Sequence, residues 1–154
     1  MKNTLLIALG LILFIACNQA VTEENVVEEK KVAVIQDYTT NLETLKADYQ
    51  RKLDTGVGML GTSIEYSAAI DSMVILLYTD LSQITPKNEA SDLAKDQKRW
   101  FTARENAFQE EWKKGKAIEE ETGIFPQLEE MVAYGVAFDV SYKKAIELNE
   151  KLNN

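Results

Sequence analysis

The chain has 154 residues, enough for one domain, and its 45% hydrophobic and 27% charged content is that of an ordinary globular protein. Seventeen basic residues against 25 acidic ones leave a net charge of -8, which excludes a nucleic-acid partner, because phosphates need a basic surface. With no histidine and a single cysteine, imidazole catalysis, histidine metal sites and an intrachain disulfide are excluded too.

The N-terminus reads "MKNTLLIALGLILFIAC". Lys2 and the apolar run Leu5 to Ala16 have the form of a secretory signal, and the run is short for a membrane span. Phe14-Ile15-Ala16-Cys17 resembles the lipobox of bacterial lipoproteins, with Phe14 where Leu is usual. The resemblance implies that residues 1–16 are a cleaved signal peptide and that Cys17 is lipidated. Each buried acyl methylene then contributes about 0.8 kcal/mol to a membrane anchor. Asn18, in the place where Asp would retain a lipoprotein at the inner membrane, points to the outer membrane, with the protein facing the periplasm or the cell surface. Cleavage removes Lys2 and no acidic group, so the mature chain carries -9. Residues 17–33 are polar and lack an apolar stripe, as expected of a flexible tether.

Residues 34–154 are expected to form an all-α domain, an antiparallel bundle of about four helices. Ile35, Tyr38, Leu42, Leu45, Tyr49 and Leu53 recur at steps of three and four, an amphipathic first helix that Gly56 should stop. The second is expected to be capped by Thr62 or Ser63, with Thr62 and Glu65 at capping-box spacing, and to bury Tyr66, Ile70, Met73, Val74, Leu77, Leu81 and Ile84. The stretch "TPKNEASD" breaks the chain, with Thr85 or Ser91 as caps. A third helix should run from about Glu89 to Lys114, ended by Gly115, though "KAIEEE" could extend it. Pro126 should open a fourth, along which Leu128, Met131, Gly135, Phe138, Tyr142, Ala145 and Leu152 keep near-heptad spacing.

Few residues point to chemistry. Gly56, Gly58 and Gly61 lack the Gly-Lys-Ser/Thr of a phosphate loop. The pairs Glu110-Glu111 and Glu129-Glu130 are sequence neighbours, which on a helix point about 100° apart and cannot converge on one atom. No metal ligand set and no cofactor motif emerges. Trp100, Phe101, Phe108 and Trp112 have core spacing. Two loops are candidates for binding: the Gly58 to Ser63 turn with the hydroxyls of Thr62 and Ser63, and Lys113, Lys114 and Lys116.

An arginine interrupts the third apolar stripe: Leu93, Trp100, Ala107 and Phe108 share their face with Gln97 and Arg104. The run Leu93-x-x-x-Gln97-x-x-Trp100-x-x-x-Arg104-Glu105 resembles the central motif of the LprI-type lysozyme-inhibitor family, small exported helical domains. Ala103 stands where that family usually has an aromatic. Upstream, Asp71-x-x-Val74-x-x-x-Tyr78 resembles the family's Asp-x-x-Leu-Asn-x-x-Tyr, with Ile75 in place of Asn. Val140, Ser141, Lys144 and Leu148 loosely resemble its last helix. The family's cysteines are absent; two of their positions fall at Phe108 and Val136, which are expected to meet in the core. The resemblance covers about residues 60–150 and implies a non-enzymatic domain that binds lysozyme, a cationic cell-wall hydrolase; a scaffolding lipoprotein binding another envelope component is the alternative. Physically, Arg104 on a buried stripe requires a carboxylate. Asp71, at the edge of the second helix's apolar face, is the expected partner, with Tyr78 or Gln97 adding hydrogen bonds.

Overall fold

The computed structural model describes residues 36–154. The leader 1–16, Cys17, Ile35 and the tether lie outside the described residues. Val32–Asn154 is a compact unit in itself and holds every core side chain described, so it has the means to fold without the leader.

Four helices, α1 (Thr39–Asp54), α2 (Met59–Ile84), α3 (Ala90–Thr122) and α4 (Gln127–Asn153), make up the domain, and there is no strand among the described residues. The direction of packing follows from which residues meet. Along α1 and α2, Tyr38 reaches Asp80 while Lys52 reaches Glu65, so the two are antiparallel. Asp96 meets Lys144 and Phe108 meets Tyr134, so α3 runs against α4. α2 and α4 run parallel and form the main interface of the domain; α3 packs mostly on α4, and α1 on both α2 and α4. α1 and α3 do not touch each other, so they lie on opposite sides of this central pair. The bundle is thus flattened, with the parallel α2–α4 diagonal as its spine.

The core follows the expected stripes. Leu42 and Tyr49 of α1, Tyr66, Ile70, Val74, Leu77 and Leu81 of α2, and Phe138, Ala145, Leu148 and Leu152 of α4 are buried; from α3 only Trp100 joins them. Burying each large side chain contributes roughly 1.5–3 kcal/mol. α2 is apolar and long enough to cross a membrane by composition; Ile70, Val74 and Leu77 of it are fully buried in the core, while Ile64, Ile75, Leu76 and Ile84 are exposed. The last member of the second stripe, Ile84, and the first of the fourth, Leu128, are exposed.

The structure differs from expectation at three places, two of them helix boundaries. α2 begins at Met59, earlier than the Thr62 and Ser63 caps require. Gly56 and Gly58 both take left-handed φ, +66° and +63°, and so reverse the chain within a few residues. Thr62 already donates its N–H to Gly58 O at 2.9 Å. At the other end of α1, Asp37 provides the cap. Its Oδ1 accepts from Thr39 N–H at 2.9 Å, while Asn149 Oδ1 of α4 accepts the Tyr38 N–H at 3.0 Å.

The second difference is that α3 does not stop at Gly115. It continues to Thr122 and ends on Gly123 at φ +76°. Gly115 is buried because the Phe125 ring lies on it: a Cβ there would come within 2.9 Å of ring carbons Cε1 and Cε2. The third concerns Phe108 and Val136. Both are half-buried, outside the core. Phe108 stacks on Trp112 and meets Tyr134 of α4 edge-on at 5.1 Å, because the α3–α4 interface at this end is built from aromatic rings.

Candidate functional site

The helices bring the motif residues together where α2, α3 and α4 meet. Arg104 lies one turn beyond Trp100 on the inner face of α3. Its Nε donates to Asp71 Oδ2 at 3.1 Å, and Nη2 lies 3.0 Å from the same oxygen. Nη2 also donates to Ser67 Oγ at 3.3 Å, and Nη1 to Glu105 Oε2 at 3.3 Å. The other Asp71 oxygen accepts from Ser141 Oγ of α4, which in turn accepts from Trp100 Nε1 at 3.2 Å. The Arg104 and Asp71 side chains are 16% and 22% exposed. Desolvation at that depth is incomplete, and the hydrogen bonds compensate it. The arginine on the apolar stripe therefore meets the carboxylate that such a position demands, and one serine extends the link to a third helix.

Tyr78 takes a different partner from the one expected. Its hydroxyl donates to Asp96 Oδ2 at 2.9 Å, away from Asp71. Asp96 also receives Lys144 Nζ of α4 at 3.3 Å and Arg99 Nη2 at 3.2 Å. Burial pushes the Asp96 carboxyl up, but the bonds from Tyr78 and Lys144 and the Lys144 charge outweigh it and hold it below the usual carboxylate range. Burial first, then the bond to Asp96, drives the Tyr78 phenol far above its ordinary value. Gln97 does not join either network. It lines a groove between α2 and α3 with Asp71, Ile75, Lys98, Trp100 and Phe101.

Both networks consume their charged groups. Asp71 faces Arg104, and Asp96 faces Lys144, so neither carboxylate is free to take or give a proton to a substrate. What the arrangement does is fix register: two salt-bridged knots, separated by about two turns, tie α3 to α2 and α4. Among the described residues no group of three Cys, Asp or Glu side chains converges as a metal site would require. Ser141 and Lys144 carry only a loose sequence signal, and Asp96 none beyond its place one turn before Trp100 on the same face.

The candidate binding loops are corrected by the fold. Thr62 and Ser63 lie inside α2 and are buried; Ser63 shares a hydrogen bond of 3.2 Å with Tyr49 Oη. They are interior contacts because α2 starts earlier than a hydroxyl cap would set. Lys113, Lys114 and Lys116 lie on the α3 helix, not in a loop, because Gly115 continues it. Lys114 pairs with Glu111 at 2.7 Å and Lys116 with Glu119 at 2.5 Å, so two of the three ammonium groups are already engaged within their own helix. Cys17 lies outside the described residues. No protein-family model, curated protein or solved structure matches the chain.

Proposed function

We propose that this chain is a non-enzymatic, lipid-anchored protein of the cell envelope, facing the periplasm or cell surface from the outer membrane, that binds and inhibits a cationic cell-wall hydrolase of the lysozyme type. The observation that carries the reading is the joint use of Asp71, Trp100, Arg104 and Glu105 in one interhelical network. Four of the residues on which the likeness to LprI-type inhibitors rests thus share a physical task in this fold, while Gln97 and Tyr78 stand outside that network. The net charge of -9 after cleavage adds to it: such a domain attracts a cationic partner and speeds its encounter. Carboxylates held in ion pairs suit a binding module.

The test uses the purified segment 18–154, a cationic lysozyme and a suspension of cell walls. The expected result is slower digestion at stoichiometric protein, with the effect fading as salt rises toward a Debye length of about 8 Å. Unchanged digestion by every lysozyme class at low ionic strength overturns the reading. A scaffolding role is the second reading, favoured by the exposed Ile75 (51%), Leu76 (52%) and Phe101 (59%) along α2 and α3, which a partner helix could cover. It predicts recovery of a defined membrane protein with the lipidated chain and no effect on lysozyme.

A further inference from the structure

The up-down-up-down order puts the α1–α2 turn and the α3–α4 turn at the same end of the bundle. Gly56 and Gly58, both at positive φ, hold Val57 at the apex of the first turn, where it is 77% exposed. The second turn presents Ile124 at 72%, and the first turn of α4 presents Leu128 at 60%. These are the three most exposed large apolar side chains described. Between the first turn and the start of α4 runs a groove lined by Gly58, Met59, Leu60, Leu128 and Met131 with the polar Gln127. Folding does not need these side chains at the surface: a polar residue would serve each turn equally well.

Around the groove the basic groups of the last turn of α1, Arg51 and Lys52, are paired with Asp48 and Glu65, and the charges left unpaired are acidic. The last turn of α3 carries Glu119, Glu120 and Glu121, and no basic residue lies in that turn. Negative charge at a helix C-terminus opposes the helix dipole, so this run works against the stability of α3. Glu129 and Glu130 open α4 beside it, and Asp54 closes α1. Among the described residues Glu120, Glu121, Glu129, Glu130 and Asp54 form no ion pair. An apolar centre inside a charged rim is the anatomy of a protein interface.

We infer that this loop end is a docking surface for a cationic protein that inserts an apolar side chain, flanked by Lys or Arg, into the groove between the Val57 turn and Leu128. The sign of the rim selects the occupant. A second copy would bring like charges together, and an anionic bilayer surface would be repelled. The inference deepens the proposed function, because it rests on a cationic partner and names where that partner sits.

The experiment measures binding of segment 18–154 to two probes at low salt: a cationic lysozyme, and a short synthetic peptide with one leucine flanked by lysines. Three double variants are compared, each checked for helical content. V57E/I124E alters the apolar centre at exposed positions, E120K/E121K reverses the rim, and I75E/L76E alters the distant α2 face. The first two are expected to weaken binding by about tenfold or more, E120K/E121K also flattening the salt dependence, while I75E/L76E binds as the parent does. Lysozyme binding that survives V57E/I124E, or that is lost in I75E/L76E, overturns the docking surface and leaves the proposed function standing. Peptide binding that is lost in V57E/I124E, with no lysozyme binding, upholds the surface and removes lysozyme as the partner. Failure of both probes, or self-association of the parent abolished by V57E/I124E, overturns the inference.

Discussion

Replacing Arg104 with methionine tests the central network most directly. Methionine keeps the length of the stem and the packing beside Phe108, whose ring lies 5.7 Å from the guanidinium, and removes only the charged head. Lost with it are the contacts to Asp71, Ser67 and Glu105. Asp71 remains, 22% exposed, with Ser141 as its one hydrogen-bond donor. A hydrogen bond to a charged group contributes about 1.5–3 kcal/mol, and partial exposure discounts the ion pair itself. Arg104→Met should therefore cost about 2–4 kcal/mol. With a urea slope of about 1.5 kcal/mol per molar, the midpoint falls by roughly 2 M. Asp71→Asn alone should cost about 1–3 kcal/mol, and the double variant clearly less than the sum, with a coupling of about 1–3 kcal/mol. Arg104→Lys should recover only part of the loss, since one ammonium cannot span Asp71, Ser67 and Glu105 together. The reasoning is refuted if the two single costs simply add, or if Arg104→Met leaves the midpoint unmoved.

Gly115→Ala reverses the usual rule for helices: alanine should gain about 1 kcal/mol, but overlap with Phe125 should cost about 1–3 kcal/mol, so the variant is less stable; in a Phe125→Ala background the same change should stabilise, and equal effects in both backgrounds would show that the ring does not lie on Gly115. Stability should fall on the alkaline side. Hydrogen bonding to Asp80, then burial, pushes the Tyr38 phenol up to about 12, so its contribution is whole below the unfolded value near 10 and is lost as pH rises toward 12; thermal unfolding between pH 8 and 12 should show this limb, weakened in Tyr38→Phe. On the acid side, the lowered Asp96 carboxyl contributes above the unfolded value of about 3.9 and is lost as pH falls through its lower folded value; Asp96→Asn should flatten the acid limb of the same titration. Cys17→Ser should leave the protein unprocessed or soluble, and a cleaved variant still sedimenting with membranes would rule out the lipid anchor.

The helical class, the number of helices and most of the core were legible in the spacing of Leu42, Tyr49, Ile70, Val74, Leu77 and Phe138, because an amphipathic stripe is a property of one segment read along its own axis. The Arg104–Asp71 pair was legible for a related reason. A charge on a stripe due for burial demands an opposite charge, and Asp71 sits at the edge of a facing stripe. Gly115 was not legible. A glycine that ends a helix and one that makes room for a ring are the same letter, and Phe125, which decides between them, lies across the turn. Thr62 and Ser63 have the letters of a cap, yet the two left-handed glycines ahead of them had already turned the chain. Likewise the partner of Tyr78, the parallel pairing of α2 with α4, and the placing of Val57 at the same end of the bundle as Ile124 and Leu128 depend on residues far apart in sequence. The sequence by itself determined which segments are helical and which face of each turns inward, since both are set by neighbours within a turn or two. Only the tertiary structure decided which faces meet, because that depends on how four stripes of unequal width share one interior.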